Sequence, residues 1–313
     1  MFSKTSSAAM AATAFTLSLA LVSPAVGATT TTPTANATVA AAQPAKGGDA
    51  RTLFGTTAPR EGGQSLAQAV ARQDNAYGRV PALRLFYTGL PDSWEHIRSQ
   101  TGQRRLVVSF KADPVAVANG RFDSQLRHWF ATAPTDARTW WSFWHEPEDN
   151  IEGGNFTAAQ YRSAWNHVAN LADAAHNEQL RATLILMCWS AEKGSHRDWH
   201  DYYAKNAIQV MGWDCYNAAW QAGNYRTPEN LFAQVLEIAD ETGLPFGLGE
   251  FGSVLAKGDG NGADRAAWLD RSAAYLSRHG ARFVTYFDSN IGVEFRLSDR
   301  NSRLAWKRAV SSS

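Results

Sequence analysis

Cysteine and clustered charge are both scarce in this chain. Of its 313 residues only Cys188 and Cys215 are cysteines, too few for a cysteine-based metal centre. The pair His196 and His200 lacks the Glu that follows the first His of a zinc protease helix. The net charge is +1 and the basic residues are scattered. We therefore predict no metal, no cofactor and no nucleic-acid partner.

Long apolar runs are scarce as well. Residues 8–22 form an apolar run after Lys4 and before Pro24 and four small residues. The run is short of the roughly 20 residues that span a bilayer, and the pattern is typical of an export signal. We predict a signal peptide over 1–28, a secreted protein, and no membrane association after signal cleavage.

The rest of the chain divides by composition. Residues 29–50 consist mostly of Thr, Ala, Pro and Gly and are predicted to be a disordered linker, because such a segment buries too little apolar surface to order itself. Residues 51–313 are close to the ~250 residues of one TIM barrel. We predict a single domain there, and a monomer.

Short apolar runs that resemble buried strands alternate with helical patterns. The eight predicted strands are 53–57, 82–88, 106–111, 139–144, 182–189, 209–216, 246–250 and 282–287. Between them, Thr157 with Gln160 predicts a helix start, and Thr227 with Pro228 predicts another that ends at Gly243.

This alternation predicts parallel strands with helical crossovers, in a barrel or in a doubly wound sheet. Gly55 stands alone after the first strand, without the glycine-rich loop of the nucleotide-binding sheets. We therefore predict an α/β fold of the (β/α)8 TIM-barrel type. Cys188 and Cys215 fall late in strands that would be neighbours, so a disulfide is conceivable, although spacing alone does not establish it.

Active sites of TIM barrels lie at the carboxyl ends of the strands. The fourth predicted strand leads into the run WHEPED, which contains Glu146, and the seventh ends in GLGEFG, which contains Glu250. A strand-end carboxylate often only caps a helix or pairs with an arginine. Two of them across a cleft are, however, what cleavage of a glycosidic bond requires.

These two motifs at these two strand ends resemble the clan A glycoside hydrolases, over most of 51–313, and glycoside hydrolase family 26 most of all. The resemblance implies Glu146 as acid/base, Glu250 as nucleophile, retention of anomeric configuration, and contact of His145 with the sugar at the cleavage point. It also implies that Tyr216 hydrogen-bonds the nucleophile. Pro147 is more typical of other clan A families.

Four further residues are candidates for substrate binding. Trp189 and Trp220 could each stack on a sugar or pack in the core, and Lys111 could bind a sugar hydroxyl or point to solvent. Tyr286 stands near the end of the eighth strand, where many clan A enzymes carry a Trp under the sugar. Asp214 could face the site or pair with an arginine such as Arg84.

The 12 Trp, 9 Tyr and 15 Phe suit an enzyme that binds sugars. We expect an endo-acting hydrolase of a β-linked polysaccharide: β-mannan first, then β-1,3-xylan or a β-glucan. The alternative is a catalytically inactive carbohydrate-binding protein on the same barrel. A metal-dependent or Schiff-base enzyme is disfavoured, because no His and carboxylate cluster and no suitably placed Lys is evident.

Overall fold

The computed structural model describes residues 51–219 and 223–313, all within one unit that spans Pro44–Ser313. The predicted signal peptide, the predicted linker and Trp220 lie outside the described residues. Eight parallel strands close into a barrel in chain order, which confirms the predicted TIM barrel. The strands are β1 Leu53–Thr57, β2 Ala82–Tyr87, β3 Arg105–Phe110, β4 Thr139–Phe143, β5 Leu180–Met187, β6 Val210–Asn217, β7 Phe246–Ser253 and β8 Phe283–Tyr286.

Helices connect the strands around the outside. In the described ranges they are α1 Leu66–Tyr77, α2 Trp94–Thr101, α3 Pro114–Ala118, α4 Asp123–Ala131, α5 Glu148–Glu152, α6 Ala158–Asp173, α7 Cys188–Ala191, α8 Pro228–Thr242, α9 Ala263–Arg278 and α10 Arg300–Ser311. Thr157 and Gln160 form the predicted capping box of α6. Thr227 caps α8, which ends at Gly243 as predicted. None of the helices in these ranges has the length and apolar character needed to cross a bilayer.

The barrel interior is apolar at its amino-terminal end and polar above. Its apolar layer is a separate buried cluster made of Leu53, Ala82, Val107, Trp140, Ile185, Val210 and Phe283. Trp140 and Phe283 meet at a centroid distance of 4.7 Å. Further along β2 and β3, Arg84 and Ser109 are fully buried. The apolar layer therefore closes the bottom of the barrel, and polar chemistry is confined to its carboxyl end.

The pairing of β6 with β7 shifts by one residue, and this shift positions the site. Trp213 pairs with Leu248, but the next residue, Asp214, pairs with Glu250. The extra residue is Gly249, where an added Cβ would lie 2.7 Å from Asp214 Oδ1. A glycine is needed there because the two strands and the Asp214 carboxyl approach so closely.

Candidate active site

Glu146 lies just beyond β4, on a backbone that is unusual for its residue types. Trp144 and Glu146 have φ values of 50° and 48°, in the left-handed region that non-glycine residues adopt at a cost of about 1–3 kcal/mol. The Trp144 N–H donates to Phe110 O at 2.8 Å, and the Glu146 N–H donates to Ile185 O at 2.9 Å. The neighbouring strands β3 and β5 thus hold the turn that presents Glu146.

The environment of Glu146 favours its protonated form. Burial is the largest cause, followed by the negative charges of Glu250 and Glu148, and together they raise its pKa from 4.5 to about 8 despite the opposing charges of Lys111 and Arg84. The residue remains partly exposed. Glu146 therefore has the protonation state of a general acid at neutral pH.

Glu250, on β7, has two partners that stabilise a negative charge. The Tyr216 hydroxyl donates to Glu250 Oε2 at 2.5 Å, which is the contact that the family resemblance implies. The Arg84 guanidinium Nη2 lies 3.9 Å from Glu250 Oε1. Glu250 is only 7% exposed. Its carboxylate is therefore fixed in orientation rather than free to rotate in solvent.

Asp214 is a third carboxyl beside this pair, and it is 2% exposed. Neither of its carboxyl oxygens has a hydrogen-bond partner. Arg84 forms its ion pair with Glu250 rather than with Asp214. Burial and the charges of Glu250 and Glu146 raise the pKa of Asp214 well above its usual value, which favours its neutral form.

His145 is held by a short chain of hydrogen bonds from β2 and β3. Arg84 Nη1 donates to Ser109 Oγ at 2.8 Å, and Ser109 Oγ lies 2.8 Å from His145 Nδ1. Because an arginine only donates, the Ser109 hydroxyl proton is available for Nδ1, an arrangement in which the His145 proton lies on Nε2. Burial and the charges of Lys111 and Arg84 lower the pKa of His145 well below its usual value.

Lys111 follows β3 and faces the same site. Its Nζ lies 5.5 Å from the centre of the Trp144 ring. Burial lowers its pKa, while attraction to Glu146, Glu250 and Asp214 opposes the change. Lys111 is therefore partly buried and lies within electrostatic reach of these carboxyl groups.

The aromatic candidates separate into two groups. Trp189 is 50% exposed on α7, immediately after β5. Tyr286 is 0% exposed, and its hydroxyl donates to Phe295 O at 2.8 Å. The prediction that Tyr286 contacts substrate was therefore wrong, because its parity on β8 turns it into the core against Trp306.

A disulfide joins Cys188 to Cys215, whose Cα atoms are 4.9 Å apart. It links the start of α7 to β6, between Asp214 and Tyr216. The sequence left this pairing open. Adjacent strand ends decide it, because they bring two residues that are 27 positions apart into bonding distance.

Three residues that shape the site carry little signal in the amino-acid sequence. For Arg84 the signal is an arginine in the otherwise apolar strand ALRLFY, and Ser109 has no comparable signal. Glu148 lies just beyond Glu146 in the run WHEPED, a position typical of a loop or a helix start. It does begin α5, but it is fully buried and accepts hydrogen bonds from β5 and α7.

Comparison with known proteins supports the fold. No family model matches the chain, and neither does any curated protein. Among solved structures, a glucosidase from Croceicoccus marinus matches with a TM-score of 0.60 at 15% identity, over 87% of this chain and 69% of that one. A modular endo-beta-1,4-mannanase from Cellulomonas fimi matches with a TM-score of 0.55 at 15% identity, over 84% and 73%.

A GH26 beta-mannanase from Bacteroides ovatus matches with a TM-score of 0.52 at 13% identity, over 84% of this chain and 89% of that one. At such identities these matches establish the barrel architecture that the three enzymes share with this chain. The predicted (β/α)8 barrel is thereby confirmed as the fold of this chain. Within the described residues no group of three or more His, Cys, Asp or Glu side chains is arranged to hold a metal ion.

Proposed function

We propose that this chain is a retaining glycoside hydrolase that cleaves a β-linked polysaccharide. The supporting observation is a pair of carboxyl groups, one just beyond β4 and one on β7, with different environments. Glu146 has a pKa raised to about 8 by burial and by the charge of Glu250. Glu250 carries a hydroxyl donor and a nearby guanidinium. Two such groups divide naturally into a proton donor and an anion.

In the proposed mechanism, Glu146 protonates the glycosidic oxygen as the leaving sugar departs, and Glu250 Oε1 or Oε2 attacks the anomeric carbon. The ionised Glu146 then removes a proton from water, which displaces Glu250 and retains the configuration. Tyr216 and Arg84 orient the nucleophile. His145, Lys111 and Trp189 are proposed to bind substrate hydroxyls and ring faces, as is Trp220.

The first substrate we propose is β-mannan, followed by β-1,3-xylan or a β-glucan, with endo action and a monomeric enzyme. Mannanases and a glucosidase are among the proteins of similar fold, which motivates the order of testing. Secretion is also proposed. The Cys188–Cys215 disulfide supports it, since such bonds persist mainly in oxidising compartments.

The test is release of reducing sugar from β-mannan, β-1,3-xylan, β-1,4-xylan and mixed-linkage glucan. Wild type should hydrolyse at least one, and Glu250→Gln should lose about 10³-fold or more of the rate. Glu237→Gln, on the exposed face of α8, is the matched control and should keep full rate. NMR of the first product should show the substrate anomer. Binding without hydrolysis, equal in wild type and Glu250→Gln, would instead establish the carbohydrate-binding alternative.

A further inference from the structure

Glu148 connects the turn that carries Glu146 to the segment that carries Trp189. Glu148 Oε1 accepts the Met187 N–H at 2.8 Å and the Ser190 hydroxyl at 2.7 Å. The side chain is fully buried. One carboxylate oxygen thus bridges the last residue of β5 and the third residue of α7, so the position of α7 follows that of the Glu146 turn.

The same segment is fixed a second time. Cys188 is bonded to Cys215 on β6, and the hydrogen bond from Ser190 reaches Glu148. The residue between these two attachments is Trp189, whose ring is nevertheless 50% exposed. A large apolar ring that is held on both sides and left open to solvent is suited to stacking on a flat ligand.

The location of Trp189 indicates which sugar it would contact. Glu146 and Glu148 are both hydrogen-bonded to β5. The Glu146 N–H donates to Ile185 O, and the Met187 N–H donates to Glu148 Oε1. A general acid stands beside the leaving sugar, because it protonates the oxygen of that sugar. Trp189 lies two residues beyond Met187, directly after β5, which pairs with β4, the strand that leads to the proposed general acid.

We propose that Glu148 and the Cys188–Cys215 disulfide are positioning elements that hold Trp189 as a platform for the sugar on the leaving-group side of the cleaved bond. The proposal rests on the proposed function of the same site. It predicts that the platform increases kcat/KM for oligosaccharides, because their leaving group is a sugar that can stack on Trp189. An aryl glycoside of a single sugar, whose leaving group is a phenol, places none.

The measurement is the ratio of kcat/KM for a β-linked oligosaccharide to kcat/KM for the aryl β-glycoside of the same sugar. Trp189→Ala should lower this ratio about tenfold, corresponding to the ~1.4 kcal/mol that a stacked ring supplies. Trp189→Phe should restore most of it. Ser190→Ala, which removes one of the two bonds to Glu148, should lower the ratio severalfold through KM. Leu304→Ala, at an exposed apolar position on α10, is the control and should not change it.

An unchanged ratio in Trp189→Ala overturns the platform. A reduced ratio in Trp189→Ala but not in Ser190→Ala overturns the role of Glu148. If wild type hydrolyses nothing, the proposed function is wrong, and calorimetric titration of wild type and Trp189→Ala with the oligosaccharide then decides the platform separately. Weaker binding by the variant supports it, and equal or absent binding by both overturns it.

Discussion

The stability advantage of the Glu146→Gln variant over wild type should increase as the pH rises, because wild type loses stability and the variant does not. The pKa of Glu146 is raised from 4.5 to about 8 in the folded chain, so the folded state retains a proton that the unfolded state releases. The stability that this group contributes is therefore complete below pH 4.5 and is lost as the pH rises toward about 8. A glutamine has no proton to lose at these pH values.

The magnitude follows from these two pKa values. Between pH 5 and pH 7 the wild type should lose about 2 to 3 kcal/mol through this group alone. The variant should not lose this amount. The difference in stability between Glu146→Gln and wild type should therefore grow by ~2 kcal/mol over that interval, or by about 5 °C in melting temperature for a domain of this size.

Urea unfolding at pH 5 and pH 7, with the disulfide intact, measures this directly. The quantity compared is the difference in unfolding free energy between Glu146→Gln and wild type at the two pH values. A part of this difference that does not vary with pH reflects the altered hydrogen bonding of the amide and is not used. Glu237→Gln, on an exposed surface, should differ from wild type by the same amount at both pH values. A difference for Glu146→Gln that stays constant would show that Glu146 is already ionised at pH 5, and it would remove the basis for its role as proton donor.

Other perturbations address the remaining parts of the site. The kcat/KM of wild type should fall above pH ~8 as Glu146 ionises; a pH–rate profile checks this. Tyr216→Phe removes the donor to Glu250 and should lower kcat about 10- to 100-fold in steady-state assays, with the fold intact by circular dichroism. Arg84→Met leaves Glu250 without its buried cation and should reduce unfolding free energy by ~3 kcal/mol. Replacing Cys188 and Cys215 together by Ser should cost about 3 to 4 kcal/mol, by urea titration.

The amino-acid sequence alone determined the order of elements and the two principal carboxylates. Each of the eight strands overlaps one of the short apolar runs that are bounded by turn residues. Local sequence pattern and chain connectivity are sufficient to predict the positions and the order of the strands. Glu146 and Glu250 are identifiable because one follows a predicted strand and the other is the last residue of one, at the end where barrels place chemistry. The capping residues Thr157 and Thr227 were also predictable, since a cap acts within four residues of itself.

Only the tertiary structure decided which side chains meet. The ion pair of Arg84 with Glu250 and the chain from Ser109 to His145 join different strands, so no local spacing encodes them. The one-residue shift between β6 and β7 pairs Asp214 with Glu250, and burial together with the charge of Glu250 raises the pKa of Asp214. Tyr286 is a residue whose location the sequence does not determine. At a strand end, a shift of one residue moves a ring from the barrel mouth to the core, because successive side chains point to opposite faces. Tyr286 lies in the core, where it packs against Trp306.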